Sequence, residues 1–152
     1  MYNSHRAKNM NIKIKRFDKD LPLPKRQTEG AAAFDLTARE TVTIQPGTVG
    51  YVPLNVAVET PPGYFMLLAA RSSTQKKGLI KANGVGIIDS DYSGDADEIR
   101  GSYYNFTDHD VLIEKGERIA QAIFLPVLAF EWEEMDELKN KDRGGFGTTG
   151  SK

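Results

Sequence analysis

The sequence predicts an all-β domain of the sandwich, jelly-roll or barrel kind. Three features carry that expectation: apolar and polar residues alternate in short runs, Gly and Pro pairs cut those runs, and helical spacing is scarce. The first strand is expected around Ile12, Ile14 and Phe17, in a lysine-rich stretch. Val42 and Ile44 alternate before the turn pair Pro46-Gly47. Val49, Val52, Leu54, Val56 and Val58 form a longer alternation ending at Pro61-Pro62-Gly63. Tyr64 to Ala70 is a nearly continuous apolar run, Val111 and Ile113 precede a turn at Lys115-Gly116, and Ile119 to Leu128 forms a last long strand. Glu131 to Asn140 is acidic and reads equally as a turn or two of helix or as a solvated linker.

The 152 residues fit one domain, which at this size buries roughly 68–70% of its unfolded surface. A formal net charge of −1 supplies no global basic field for nucleic acid or an acidic membrane. The chain has no cysteine and two histidines, His5 and His109. Disulfides, thiolate nucleophiles and cysteine zinc sites are excluded, and a hard cation on oxygen ligands is the metal option left. No apolar run approaches the ~18 residues of a membrane span, and the N-terminus lacks the apolar segment of a signal peptide. The expectation is a cytoplasmic protein with no membrane or nucleic-acid partner. Residues 1–10 are expected to be a disordered extension, 11–142 the β domain, and 143–152 a mobile glycine-rich lid.

Three segments can carry chemistry. In Asn83 to Asp95, the run Gly84-Val85-Gly86 suits a hairpin whose backbone approaches a ligand closely. Asp89, Asp91 and Asp95 follow, with Tyr92 among them. Such carboxylates can hold Mg²⁺ through its waters or act as a general base; the same residues also read as an ordinary polar turn. Ala70-Arg71-Ser72-Ser73 follows an apolar strand and offers a guanidinium fork and hydroxyls to phosphate, or is simply an exposed strand end. Arg143 to Gly150 can form an anion nest with Phe146 as a stacking ring, or be a disordered tail. Gly145 to Gly150 also fits G-x-G-x-x-G, but only two residues follow it, so no helix completes a dinucleotide site.

Taken in order, the segments resemble the motif set of the trimeric dUTP diphosphatase (dUTPase) family. The five are Ala32-Ala33-Phe34-Asp35-Leu36, Ala70 to Ser73, Asn83 to Asp95 with Ile88-Asp89-Ser90-Asp91-Tyr92 intact, Gly116 to Gln121, and Arg143 to Gly150. The resemblance implies a dUTPase-like β-sandwich or jelly-roll (β-clip) subunit, and a homotrimer whose active sites are shared between chains. It implies hydrolysis of dUTP to dUMP and pyrophosphate, with Mg²⁺ as cofactor. By resemblance, Asp89 is the general base for water attacking the α-phosphorus, and Asp35 reaches Mg²⁺ through water while the phosphates hold the ion. Arg71, Ser72, Ser73 and Gln121 bind phosphates. Asn83, Gly84, Val85, Gly86 and Ile88 read uracil, and Tyr92 packs on the deoxyribose. Arg143, Gly147, Thr148 and Thr149 close over the γ-phosphate, with Phe146 stacked on the base. The chain departs from the family pattern at Ala33 (usually Gly), Thr148 (usually Ser) and Ser93 (often Arg). The stretch Asp97 to Tyr103 is longer than usual, and the spacing after Arg143 is short. Two alternatives share the scaffold: a dCTP deaminase, whose chemistry needs a glutamate near the base, and a catalytically idle nucleotide-binding regulator.

Overall fold

The computed structural model describes residues 10–144. The expected N-terminal extension, apart from Met10, therefore lies outside the described residues. So do Gly145 to Lys152, including Phe146, Gly147, Thr148 and Thr149. The described chain is nearly all β, as expected. Its strands are β1 (Lys13–Arg16), β2 (Phe34–Thr37), β3 (Val42–Ile44), β4 (Val49–Pro53), β5 (Val56–Glu59), β6 (Tyr64–Ala70), β7 (Leu79–Lys81), β8 (Gly86–Ile88), β9 (Arg100–Asn105), β10 (Val111–Ile113) and β11 (Arg118–Pro126), with a single 3₁₀ turn at Thr74–Lys77. Glu131 to Asn140 forms no helix, so the linker reading holds. No helix among the described residues is long and apolar enough to cross a membrane.

Pairing is antiparallel throughout, in a four-stranded sheet β2-β11-β6-β8, a three-stranded sheet β4-β9-β7, and the pairs β1-β5 and β3-β10. The core between them is built from inward residues such as Leu36, Ile44, Val52, Val56, Met66, Leu68, Leu79, Tyr103, Ile113 and Ile119. The Tyr103 hydroxyl donates to the Ile119 carbonyl at 2.9 Å, and burial pushes its pKa up.

The single alternation expected from Val49 to Val58 is two strands. Asn55 sits between them in the left-handed region, at φ 68°, a conformation that Asn tolerates better than most residues. Its side chain bonds the backbone of Asp18, accepting from the N–H at 2.6 Å and donating to the carbonyl at 3.0 Å. Asn105 is fully buried, and its amide nitrogen donates to the carbonyls of Ile44 and His109. Thr107 donates to the Asn105 Oδ1 from both its N–H and its hydroxyl, so Asn105-Phe106-Thr107 is a loop clamp.

Candidate active site

The first, second and fourth motifs meet because β2, β11 and β6 are neighbours. Asp35 and Gln121 are cross-strand partners, and Gln121 faces Ala69 on its other side. The Asp35 carboxylate, 11% exposed, receives one arginine on each oxygen: Arg71 Nε at 3.4 Å from Oδ1 and Arg118 at 3.1 Å from Oδ2. Arg71 also donates to the Arg118 carbonyl at 3.2 Å, and Gln121 Nε2 donates to the Ala70 carbonyl at 2.9 Å. Two guanidiniums around one carboxylate leave a net positive charge. Planar guanidinium forks match phosphate oxygens well. Ser72 and Ser73 are exposed just beyond β6.

The third motif forms a separate feature. Gly84 turns the chain at φ 69°, Val85 is exposed at the tip, and Gly86 begins β8. A Cβ on Gly86 would lie 3.2 Å from the Leu68 side chain, so glycine lets β8 pack closely on β6. The expected hairpin is instead a turn, because β7 and β8 on either side of it pair with β9 and β6 in different sheets. Behind this turn opens a cleft of ≈ 510 Å³ lined by Asn83, Ile88, Asp89 and Tyr92, with Tyr51 and Ser102 from β4 and β9. The structure also sorts the nearby acids. Asp95 pairs with Lys15 at 2.6 Å, Asp97 accepts the Gly94 N–H at 2.7 Å, and Glu98 is buried against Arg39. Asp89 and Asp91 are both exposed, and only Asp89 lines the cleft. The Tyr92 hydroxyl donates to the Glu98 carbonyl at 3.2 Å. The stretch from Asp97 borders the cleft: the Glu98 carbonyl accepts from the Tyr92 hydroxyl, and Ile99 lines the wall.

The two features lie toward opposite ends of β6. Ile88 pairs with Met66, whereas Arg71 follows Ala70 at the other end of the strand. At ~3.3 Å per residue, that places the cleft's Asp89 about 17–20 Å from Arg71 along the strand. Arg143 is exposed and forms no hydrogen bond or ion pair with another described residue.

Mg²⁺ fits one of these features and not the other. Among the described residues no three acidic or histidine side chains converge on a possible ion, so Asp89, Asp91 and Asp95 are not a metal cage. Asp35 is a hard oxygen donor among cations that would attract a polyphosphate. Mg²⁺ keeps several waters and commonly joins one or two carboxylates to substrate phosphates. The donor set therefore suits an ion that arrives with phosphate.

Residues that the motifs did not single out also take part. Arg118 shares Asp35, Lys81 and Ser102 both bond the Asn83 side chain, and Arg100 borders the cleft. Arg118 lies within the fourth motif, three residues before Gln121, but was given no role from the sequence. The others arrive through β7–β9 pairing, for which the local sequence carries no signal.

Comparison with known proteins follows the same lines. The dUTPase family model matches residues 19–151. A deoxyuridine 5'-triphosphate nucleotidohydrolase of Lactococcus lactis subsp. lactis is 41% identical over 133 residues, covering 85% of this chain and 88% of that protein. One from Hydrogenobaculum sp. is 42% identical over 147 residues, covering 94% and 100%. Among solved structures, the dUTPase from Streptococcus mutans superposes with TM-score 0.72 at 35% identity, covering 78% of this chain and 98% of that one. The Staphylococcus bacteriophage 80alpha dUTPase with dUPNHPP gives TM-score 0.81 at 26% identity, covering 93% and 99%.

Proposed function

Because the chain belongs to the dUTPase family, we propose that it is a dUTP diphosphatase in which Asp89 activates the water that attacks the α-phosphorus. The products are dUMP and pyrophosphate. The observation that carries this reading is the cleft, where Asp89 is the lining carboxylate, with Asn83 and the ring of Tyr92 beside it. Asp89 takes the proton of the attacking water, a role typically contributing ~10²–10⁴-fold when the base is held in place. Arg71, Ser72, Ser73 and Gln121 hold the phosphates. Asp35 would hold Mg²⁺ through water, and when bound the ion neutralises charge on the pyrophosphate leaving group. Uracil sits against Gly84 to Ile88, where cytosine would leave polar groups unpaired, a mismatch that can discriminate by ~10⁴–10⁵. Tyr92 packs on the deoxyribose and excludes a 2′-hydroxyl.

A base beside the innermost phosphorus and arginines on the outer ones must lie within the length of one triphosphate. In a single chain Asp89 and Arg71 do not. This supports a homotrimer in which the cleft of one chain faces the Asp35–Arg71–Gln121 cluster of another. Further support comes from the outer face of β4-β9-β7, where Val49, Tyr51 and Ile80 are exposed beside the cleft. Beyond β11, Leu128, Phe130, Trp132 and Leu138 are exposed as well. Neighbouring exposed apolar side chains commonly mark an interface. The tail from Arg143 through Phe146, Gly147, Thr148 and Thr149 supplies a lid over the nucleotide, shutting out water.

The deciding measurement is pyrophosphate release across dUTP, dTTP, dCTP and UTP with Mg²⁺. Turnover should be confined to dUTP; ammonia from dCTP would instead indicate a deaminase, and no release from dUTP an idle binder. Removing residues 143–152 should leave the trimer intact by light scattering and nearly abolish turnover. Unchanged turnover would remove the lid.

A further inference from the structure

One charged group near the cleft is buried with no counter-charge among the described residues. Lys81 ends β7 with its side chain on the inner face, since Leu79 and Lys81 are buried while Ile80 between them is exposed. The residue is only 8% exposed and pairs across the sheet with Tyr103, itself fully buried. It forms no ion pair with a described residue. Burial, with no carboxylate to offset it, pushes its pKa down. A methionine or leucine would fill such a position without the desolvation cost of an ammonium. What the ammonium does reach is Asn83 Oδ1, at 2.8 Å. Ser102 Oγ donates to the same oxygen at 3.1 Å, from the neighbouring strand β9.

We propose that Lys81 is a positioning residue that locks the Asn83 carboxamide in one orientation, and that this lock helps set the preference for uracil over cytosine. The proposal rests on the reading of the cleft as a uracil site. An ammonium has three donors and no lone pair, so the amide group facing it must be the oxygen. A flipped amide would turn its own N–H groups toward Lys81. With Oδ1 occupied, the amide offers only donors to a ligand, because its nitrogen is bonded to no described residue. Uracil presents carbonyl acceptors on either side of N3, which suits a donor. Cytosine replaces the carbonyl at C4 with an amino group, itself a donor. An unlocked amide could rotate and accept from that amino group; a locked one leaves two donors face to face. Specificity of this kind comes from rejecting the wrong partner as much as from holding the right one. Ser102 alone cannot enforce it, because a hydroxyl both donates and accepts and would tolerate either orientation.

The test is binding of dUMP and dCMP to the full-length protein by calorimetry, for the wild type, Lys81→Met and Ser102→Ala. The wild type should prefer dUMP. Lys81→Met should narrow that preference by about tenfold or more, the scale of one hydrogen bond to a charged group, chiefly by letting dCMP bind more tightly. Its melting temperature should hold or rise, because a desolvated charge has been removed. Ser102→Ala, at a half-exposed position, should narrow the preference less and guards against a folding defect in the first variant. Adding Lys81→Arg, which keeps a donor-only group, should restore most of the preference. If the wild type prefers dUMP and neither Lys81→Met nor Ser102→Ala changes the ratio, the lock is overturned and the uracil reading stands. A wild type that binds both nucleotides alike overturns both.

Discussion

Asp89→Asn is expected to lower kcat for dUTP hydrolysis by roughly 10²–10⁴-fold while leaving nucleotide affinity nearly unchanged. That loss corresponds to roughly 3–5 kcal/mol of transition-state stabilisation, at about 1.36 kcal/mol per tenfold. The substitution preserves size and shape, and Asp89 forms no side-chain hydrogen bond or ion pair with a described residue, so folding has little reason to respond. A carboxamide cannot take a proton from water, so the loss falls on the chemical step alone. The pair of measurements is steady-state pyrophosphate release and the Kd for a non-hydrolysable dUTP analogue. Asp91→Asn is the control, because Asp91 is exposed but stands outside the cleft, and it should keep most of its activity. A variant at position 89 that turns over within a fewfold of wild type would show that the base lies elsewhere. One that loses binding and turnover together would show that the carboxylate positions substrate.

The same contrast shows which parts of the site were legible in the chain. The fold class could be read because β6, β10 and β11 have regular alternation or continuous apolar runs bounded by Gly and Pro. The break at Asn55 was not read: Asn is the one local hint of a left-handed residue in Val52-Pro53-Leu54-Asn55-Val56, and what fixes it there are bonds to Asp18 and Glu98, distant in sequence. Strand β7 has only three residues, and arginine, glycine and serine open β9, so neither shows a clear apolar pattern and both are defined by their pairing in one sheet. The motifs located Asp35, Arg71, Gln121, Asn83, Asp89 and Tyr92. They could not show that three of these gather at one end of β6 and three near the other, because that follows from sheet order. Residue type and spacing alone left Asp89, Asp91 and Asp95 equivalent, and only the motif resemblance singled out Asp89. The structure adds a physical distinction: Asp95 is held by Lys15, Asp97 by the Gly94 N–H, and Asp91 stands outside the cleft.

Glu98→Ala is expected to destabilise the fold by about 3 kcal/mol, near the low end of the range for breaking a buried ion pair. Glu98 has a side chain 6% exposed, and its Oε1 accepts from both Arg39 Nε at 2.8 Å and the buried Asn55 N–H at 3.0 Å. Its Oε2 accepts from the second Arg39 nitrogen at 3.1 Å, and this bonding raises the arginine pKa. Removing the carboxylate leaves a guanidinium and a backbone donor unpaired at the junction of β4 and β5. Arg39 retains about a third of its exposure and can recover some hydration, which is why the larger values in the range are not expected. Urea unfolding of both proteins at one concentration measures the loss, because the mass-action contribution of oligomerisation is then common to the two. The consequence should extend to specificity, because the Glu98 carbonyl anchors the Tyr92 hydroxyl. Loosening that segment should raise kcat/KM for UTP relative to dUTP. Tyr92→Phe should reproduce the change in specificity with little loss of stability, since it removes one partly buried hydrogen bond and keeps the ring. If Glu98→Ala lowers stability but both variants reject UTP as well as the wild type does, the buried pair supports the fold alone, and the ring of Tyr92 needs no tether to exclude the 2′-hydroxyl.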